Sequence, residues 1–354
     1  MKNKKTKLPG LLEVMIEVEP RCNFKCQFCF NKISFAKKGR DFRAMDGELI
    51  KRIIGHLADL GVPKIRFTGG EPLLRQDLFE LMAFAKKKGL QVNLNTNGSL
   101  VTEAVAKKMK GLVDGVLISI ESPDNDKESE ITGFKNALAV KTRGIKTLAK
   151  AGIVCRVGTV ISAGVADDFD RFAKFILGLP VKKWEFFRPV PLGKKWINAV
   201  DFETIEKLAI KTAAFKRTSK KEIAFANALP FCCVKDLWLF DFISHGGTLE
   251  EGRTRIVIDA RGFVKPFYFI EKKLGSPLDL EKAWNHPFLK AMREMKNVPK
   301  ECRQCLFLKK CCGGTRYAAK LATGSWKGRD PMARYAKLME NFGLSAGKKE
   351  KASR

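Results

Sequence analysis

The sequence predicts an α/β protein whose parallel strands and intervening helices form a full or partial barrel. Strand-like and helix-like segments alternate along residues 11–190, and six strands separated by helices require crossover connections and a parallel sheet. The chain has 354 residues, of which 45% are apolar, so it can build one large domain and a smaller extension. In such folds the functional residues follow the C-terminal ends of the strands.

The predicted elements come from hydrophobic periodicity and from turn residues at their ends. In chain order, the six strands are Leu11–Glu19, Lys64–Thr68, Leu90–Thr96, Val113–Ile120, Ile153–Val160 and Trp184–Val190. The helices between them are a segment capped by Asp46 and stopped by Gly61, then Asp77–Lys88, Glu103–Met109, 134–151 and Asp167–Leu177. Farther along we expect a helix near Phe202–Arg217, a hairpin near Arg255–Phe269 and a helix near Leu280–Met295.

Composition and charge narrow the class of protein. Lys and Arg number 67 against 38 Asp and Glu, and the formal charge of +29 makes nucleic acid or an acidic partner worth considering. The lysines are spread along the chain rather than gathered beside aromatic residues, which favours a solvated basic surface over a nucleic-acid site. The sequence contains no run of 18 apolar residues, so it predicts no membrane-spanning helix. Pro9, Gly10 and Glu13 break the apolar stretch after the basic N-terminus, so we expect no signal peptide and a cytoplasmic protein.

Cysteines form the most distinctive pattern in the chain. Ten are present, and in a reduced cytosol their uneven spacing argues against disulfides. Cys155 stands alone in an apolar strand, where a buried thiol acts as a small hydrophobe. The others form three groups, which predict metal ligation: Cys22, Cys26 and Cys29; Cys232 and Cys233; and Cys302, Cys305, Cys311 and Cys312.

The first group directly follows the first predicted strand. A loop with the spacing Cys22-x3-Cys26-x2-Cys29 can bind three corners of an iron–sulfur cubane and leave the fourth iron open. A four-thiolate zinc site needs a fourth cysteine, which is absent nearby, so iron–sulfur is favoured. Phe28, just before the third cysteine, either shields a cluster from water or packs in the core.

Two further motifs follow the next two strands. Gly69-Gly70-Glu71-Pro72 comes after the second strand, where glycines let the backbone approach a ligand and the carboxylate of Glu71 can meet an ammonium group. After the third strand, Asn97 lies in an Asn-Thr-Asn-Gly segment that offers polar groups and a turn. Either motif alone is typical of an ordinary turn.

The pairing of this thiol loop with a Gly-Gly-Glu-Pro turn after the next strand resembles the radical S-adenosylmethionine (SAM) superfamily. The resemblance implies that Cys22, Cys26 and Cys29 ligate a [4Fe–4S] cluster, whose open iron SAM chelates through its amino and carboxylate groups. It also implies a low-potential electron donor and a 5′-deoxyadenosyl radical that takes a hydrogen atom from a substrate. The expected SAM-binding residues, including those at the end of the fourth strand, are Phe28, Gly69, Gly70, Glu71, Asn97, Ser119 and Glu121.

The C-terminal cysteines resemble the SPASM or twitch extension of peptide-modifying radical SAM enzymes. The matching features are the spacing of Cys302, Cys305 and Cys311 and the Gly-Gly pair after Cys312. The pattern is incomplete because the SPASM cysteines are replaced by other residues at Phe267, Thr315 and Ala333. One auxiliary [4Fe–4S] cluster stays possible, completed by Cys312, Cys232, Cys233 or a ligand other than cysteine. A zinc knuckle and inert thiols are the alternatives.

We therefore expect a partial (β/α)6 TIM-type barrel in residues 1–192, a smaller cysteine-rich SPASM-like region in residues 193–340 and a basic tail in residues 341–354. The expected function is radical SAM modification of a peptide or protein. Modification of a small metabolite, such as a tetrapyrrole or pterin precursor, is the second hypothesis. A non-catalytic iron–sulfur or basic nucleic-acid-binding module is the hypothesis of another class.

Overall fold

A computed structural model describes residues 7–31, 44–190 and 200–334. Its strands are β1 (Glu13–Glu19), β2 (Lys64–Gly69), β3 (Gln91–Thr96), β4 (Gly115–Ser119), β5 (Cys155–Val160), β6 (Lys183–Phe187), β7 (Glu222–Phe225), β8 (Arg255–Ile258) and β9 (Val264–Lys265). Its α-helices are α1 (Gly47–Asp59), α2 (Leu78–Lys87), α3 (Glu103–Met109), α4 (Asn125–Thr132), α5 (Ala137–Lys150), α6 (Ala163–Asp167), α7 (Phe169–Leu177), α8 (Phe202–Thr218), α9 (Leu237–Ile243), α10 (Leu280–Trp284), α11 (Pro287–Arg293), α12 (Leu308–Cys311) and α13 (Arg316–Thr323).

The strands form one sheet of nine in the order β7-β6-β5-β4-β3-β2-β1-β8-β9. Neighbours pair in parallel, except that β8 and β9 form an antiparallel hairpin. Because β7 and β9 are the two edges, the described sheet does not close, and the predicted partial barrel is confirmed. The C-terminal ends of β1 to β6 meet along one rim, called the C-terminal rim below.

The burial of β1 fits its position inside the sheet, between β2 and β8. All seven of its residues are buried, as in a parallel strand covered on both faces. Its acidic side chains therefore need partners inside the protein. Glu13 pairs with Arg66 of β2 at 2.8 Å and with Arg255 of β8 at 2.7 Å, so ion pairs join the strands on either side of β1.

The helices can be compared with those predicted from the sequence, beginning with the N-terminal cap of α1. Asp46 caps α1 by accepting a hydrogen bond from the Leu49 amide at 2.7 Å, and the helix buries Ile50, Ile53, Ile54 and Leu57. The predicted helix Asp167–Leu177 corresponds to α7, which the short helix α6 precedes. One predicted helix is broken: the segment at 280–295 divides before Pro287, which has no amide hydrogen to donate and begins α11.

Two helices of the barrel were not predicted, the short α6 and the longer α4. α4 has the sequence NDKESEIT, in which charged and polar residues leave no apolar face. Its buried residues are Glu128 and Thr132. Hydrophobic periodicity cannot find such a helix, because polar contacts rather than apolar burial fix it in place.

The sheet continues past the predicted boundary at residue 192, which lies outside the described residues, as does the 341–354 tail. β7, β8 and β9 all follow that boundary in sequence and all belong to the same sheet. The predicted hairpin is present as β8 and β9, with Ile258 opposite Val264. The assignment of 1–192 and 193–340 to separate regions stays a prediction.

One large hydrophobic cluster includes buried side chains from β1 through the C-terminal helices. A second, smaller cluster joins Met15 of β1 to Val257, Phe267, Phe269 and Ile270. Phe267, which stands in place of a SPASM cysteine, thus packs in apolar surroundings. No helix among the described residues is both long and apolar enough to cross a bilayer.

Candidate active site

The loop after β1 carries Cys22, Cys26 and Cys29 at the C-terminal rim. Its backbone is held by the end of α4, because the Lys25 amide donates to Thr132 O and the Gln27 amide donates to Ile131 O, both at 2.9 Å. Cys22 is exposed, whereas Cys26 and Cys29 are partly exposed. The loop is therefore fixed through its backbone while its sulfurs stay near the surface.

The three thiols influence one another. Burial raises the pKa of Cys22, and it raises the pKa of Cys26 to about 12, with Cys29 contributing to both shifts. Within the described ranges, no three His, Cys, Asp or Glu side chains are grouped as they would be around a single metal ion. In a cubane each thiolate binds a different iron, so its ligands stand farther apart.

The Gly-Gly-Glu turn packs against the start of this loop. The Gly70 amide donates to Glu19 O at 2.6 Å, and the Glu71 amide donates to Arg21 O at 2.8 Å. A Cβ on Gly69 would lie 2.3 Å from Glu19 O, and one on Gly70 would lie 2.1 Å from Arg21 O. The glycines are therefore required by the close approach of two backbones, in addition to any ligand.

Glu71 is completely buried and accepts three hydrogen bonds. Its Oε1 accepts from the Leu73 amide at 3.0 Å and from the Thr96 hydroxyl at 2.7 Å, and its Oε2 accepts from the Asn97 amide at 2.7 Å. Burial raises the pKa of Glu71, and these hydrogen bonds oppose the rise. The carboxylate thus joins the turn after β2 to the end of β3, a structural role that the sequence did not reveal.

Asn97 connects the third strand to the thiol loop. Its side-chain amide donates to Asn23 Oδ1 at 2.8 Å and lies 3.9 Å from the Cys22 sulfur. Together with its backbone contact to Glu71, these bonds bring the ends of β1, β2 and β3 into one site, as the sequence predicted.

Ser119 and Glu121 lie at the end of β4. Ser119 is half-buried, whereas Glu121 is buried. Glu121 Oε2 accepts a hydrogen bond from the Val160 amide at 2.6 Å, and Oε1 has no hydrogen-bond partner among the described residues. Burial, together with the nearby Glu128 carboxylate, raises the pKa of Glu121 to about 8.

A buried ion pair, which the sequence motifs do not predict, lies beneath the rim. Lys141 of α5 donates to Glu128 Oε1, and both side chains are at most 1% exposed. Glu128 Oε2 accepts from the Glu121 and Ser122 amides at 2.8 Å each. The sequence does contain a sign of this pair. Lys141 lies three residues after Leu138 on the buried face of α5, and a lysine is rarely buried without a partner of opposite charge.

The C-terminal thiols divide into two places. Cys302, Cys305 and Cys311 come together with Cys232 and Cys233, since each of the latter two interacts electrostatically with Cys311. Cys312 faces elsewhere, and its sulfur lies 3.7 Å from Lys309 O. The proposed ligand role of these residues stays a prediction.

The fold and the site define a class of protein in which an open parallel barrel carries a three-thiol loop after β1 and a Gly-Gly-Glu turn after β2. The family model described as the radical SAM superfamily matches residues 16–176. A GTP 3′,8-cyclase from Aliarcobacter butzleri is 30% identical over 269 residues, which cover 73% of this chain and 81% of that protein. The chain belongs to the radical SAM superfamily and is an enzyme that uses a [4Fe–4S] cluster and SAM.

Other relatives span nearly the whole chain. An AdoMet-dependent heme synthase from Nitratidesulfovibrio vulgaris is 26% identical and covers 90% of this chain and 91% of that protein. A PqqA peptide cyclase from Methylobacterium nodulans is also 26% identical and covers 92% and 86%, respectively. Among solved structures, SuiB from Streptococcus suis bound to S-adenosylmethionine has a TM-score of 0.71 at 18% identity and covers 92% of this chain and 77% of that chain. This last match is a likeness of fold.

Proposed function

We propose that Cys22, Cys26 and Cys29 hold the [4Fe–4S] cluster, that SAM binds beside it on the C-terminal rim, and that the substrate is a peptide or protein. When bound, these groups supply reductive cleavage of SAM to a 5′-deoxyadenosyl radical that takes a hydrogen atom from the substrate. The observation that carries the proposal is the contact between the thiol loop and the Gly-Gly-Glu turn, through hydrogen bonds of 2.6 and 2.8 Å.

The thiol loop is suited to hold a cluster because its backbone is already fixed by the end of α4. Binding of a cluster therefore costs little conformational entropy in this loop. Phe28 is half-buried between Cys26 and Cys29, and we assign it the role of limiting water at the cluster.

Glu71 and Asn97 are positioned for the methionine end of SAM. Glu71 Oε2 accepts one hydrogen bond, from Asn97, and a carboxylate oxygen can accept a second from an ammonium group. Gly69 and Gly70 keep the turn free of side chains beside the loop. These four residues form the proposed amine-binding part of the site.

Glu121 supports a contact with a hydroxyl group of SAM. Its Oε1 is buried and lacks a partner among the described residues, and a buried polar atom without a hydrogen bond is costly. A ribose hydroxyl would satisfy it. Ser119, two residues earlier on the same rim, offers a second polar group.

Anaerobic SAM cleavage tests the proposal. With dithionite replacing the low-potential electron donor, the reconstituted wild type should release 5′-deoxyadenosine, and Cys26→Ala should release none. Cys155→Ala is the matched control because that thiol lies inside β5 and contacts Ile153 O. Undiminished 5′-deoxyadenosine from Cys26→Ala would refute the cluster assignment.

A peptide or protein substrate is supported by the PqqA peptide cyclase relative, which covers 92% of this chain, and by the SPASM-like cysteine spacing. The test is a mass change in a peptide encoded beside the gene, after incubation with enzyme, SAM and dithionite. The expected change requires SAM and is absent with Cys26→Ala. An unmodified peptide would contradict the substrate assignment while leaving SAM cleavage intact.

A small metabolite is the second candidate because the AdoMet-dependent heme synthase relative covers 90% of this chain. Carboxylated tetrapyrroles are acidic, and the chain has a formal charge of +29. Stimulation of 5′-deoxyadenosine release by a tetrapyrrole, together with its chemical conversion, would favour this candidate over the peptide.

A further inference from the structure

We propose that Cys232 is the fourth ligand of a second [4Fe–4S] cluster held by Cys302, Cys305 and Cys311, and that Cys233 and Cys312 lie outside its ligand set. The site is separate from the one after β1. Its assignment therefore does not depend on SAM chemistry, and its test uses metal content and spectra rather than activity.

Three of the proposed ligands lie on one short segment. A 3₁₀ turn at Lys300–Gln304 is followed by α12, which ends at Cys311. The Cys305 amide donates to Cys302 O at 3.1 Å, and the Cys311 amide donates to Phe307 O at 2.7 Å. Backbone hydrogen bonds thus fix both ends of the segment without using a sulfur as a donor.

The turn at Phe231–Cys233 lies directly against this segment. The Phe231 amide donates to the Cys311 sulfur at 3.4 Å, and the Phe231 ring packs on the Phe307 ring with centroids 5.5 Å apart. These two contacts hold Cys232, the next residue, beside the three thiols. Its thiol interacts electrostatically with both Cys311 and Cys302.

Cys232 also contacts the place where the SPASM pattern loses a cysteine. The Arg334 amide donates to the Cys232 sulfur. Arg334 directly follows Ala333, which stands where that pattern has a cysteine. A thiol from the Phe231–Cys233 turn therefore lies next to the position that lacks one.

The other two candidate thiols have different surroundings. Cys233 is fully buried against Arg188 and Asp330, which form a buried ion pair at 2.7 Å. Its thiol interacts with Cys232 and Cys311, whereas the Cys232 thiol interacts with both Cys311 and Cys302. Cys312 has a left-handed backbone with φ of 56°. Its sulfur contacts Lys309 O and Lys310 O, and its charged neighbours are Arg253 and Glu251.

The surroundings of Cys311 suit an iron–sulfur cluster. Its sulfur accepts hydrogen bonds from the amides of Phe231, Gly313 and Gly314. The two glycines have φ of 71° and 76°, which turn the chain back over the sulfur. Hydrogen bonds to cluster sulfurs stabilise their negative charge. Arg316 and Arg329 lie near Cys302 and add positive charge.

Zinc is the competing metal for four thiolates, and the two metals are told apart by analysis of iron, sulfide and zinc. Four protein thiolates leave no iron open, so this cluster would carry electrons rather than bind SAM.

The experiment removes the thiols of the loop after β1 and measures the metal that the C-terminal thiols bind. The background is the full-length Cys22→Ala/Cys26→Ala/Cys29→Ala variant, reconstituted anaerobically and assayed for iron, sulfide, zinc, visible absorption and the electron paramagnetic resonance of the reduced protein. We expect about four irons per chain in this background. Adding Cys232→Ala should lower iron and change the resonance, whereas the matched control Cys312→Ala should do neither.

A rescue variant separates ligand loss from misfolding. Because Cys232 contacts the residue after Ala333, Cys232→Ala/Ala333→Cys in the same background should regain the iron that Cys232→Ala loses. Full iron and an unchanged resonance in Cys232→Ala would overturn the proposal, as would zinc in place of iron in the starting background.

Alkylation of the otherwise unaltered protein provides a second measurement if Cys232→Ala does not fold. In reconstituted wild type, iodoacetamide should label Cys232 more slowly than in the cluster-free protein. Equal labelling of Cys232 in the two forms would overturn its assignment as a ligand.

Discussion

The buried pair Lys141 and Glu128 offers a sharp test of how the thiol loop is supported. Both side chains are at most 1% exposed, so replacing one partner leaves an uncompensated charge inside the protein. We expect Lys141→Met or Glu128→Gln alone to lower the free energy of unfolding by about 3–5 kcal/mol.

The double variant should cost less than the sum of the two single variants. Both backbone amides that bind Glu128 donate to the same oxygen, Oε2, so the amide oxygen of a glutamine can accept both. Met at position 141 fills much of the space of the lysine stem. The double variant removes both charges, and we expect its cost to fall short of the sum by about 2–3 kcal/mol.

Urea unfolding of cluster-free protein, followed by circular dichroism, measures these costs without loss of a cofactor. The control is Lys86→Met, which breaks the half-exposed pair with Asp114 and should cost less than about 1 kcal/mol. If the costs at Lys141 and Glu128 add to within about 0.5 kcal/mol, the two side chains are not coupled and the reasoning fails.

Three further outcomes follow from the site and the barrel interior. Glu71→Gln should weaken SAM binding by about 1.5–3 kcal/mol in calorimetry while iron content is unchanged; unchanged affinity would leave Glu71 a purely structural role. Gly70→Ala should lower cluster iron, because the new Cβ would lie 2.1 Å from Arg21 O, and wild-type iron content would contradict this. Burial raises the pKa of Glu17 to about 7, against opposition from Lys265, so the stability that its protonated form contributes is lost as pH rises from about 4.5 through 7. The difference in unfolding free energy between Glu17→Gln and the wild type should therefore shift by about 2 kcal/mol in favour of the variant from pH 5 to pH 8. A difference that does not depend on pH would rule this out.

Much of the barrel could be predicted because its apolar residues recur with the period of each element. Glu103–Met109 was predicted with the bounds that the structure shows, and the other strands and helices of the barrel differ mainly at their ends. α4 was missed because its buried residues are polar. The placement of β8 beside β1 could not be predicted, because strand pairing between distant segments leaves no local pattern.

The site was predictable as a set of motifs, but the contacts within it were not. Cysteine spacing and the Gly-Gly-Glu turn identified the ends of β1 and β2. Only the structure shows that Glu71 is buried with three donors and that the Cys312 thiol contacts Lys309 O. Side-chain direction depends on backbone angles, such as the left-handed conformation of Cys312, which residue spacing does not reveal.

The position of β1 between β2 and β8 has a consequence for synthesis of the protein. β1 and its thiol loop are made before β8, which covers the second edge of β1 and follows only at Arg255–Ile258. Until the ribosome has released that segment, β1 has an unpaired edge that can join other strands. Iron that binds the thiol loop during synthesis would therefore bind before β1 has paired with β8. Iron that binds after release from the ribosome would bind when both edges of β1 are paired.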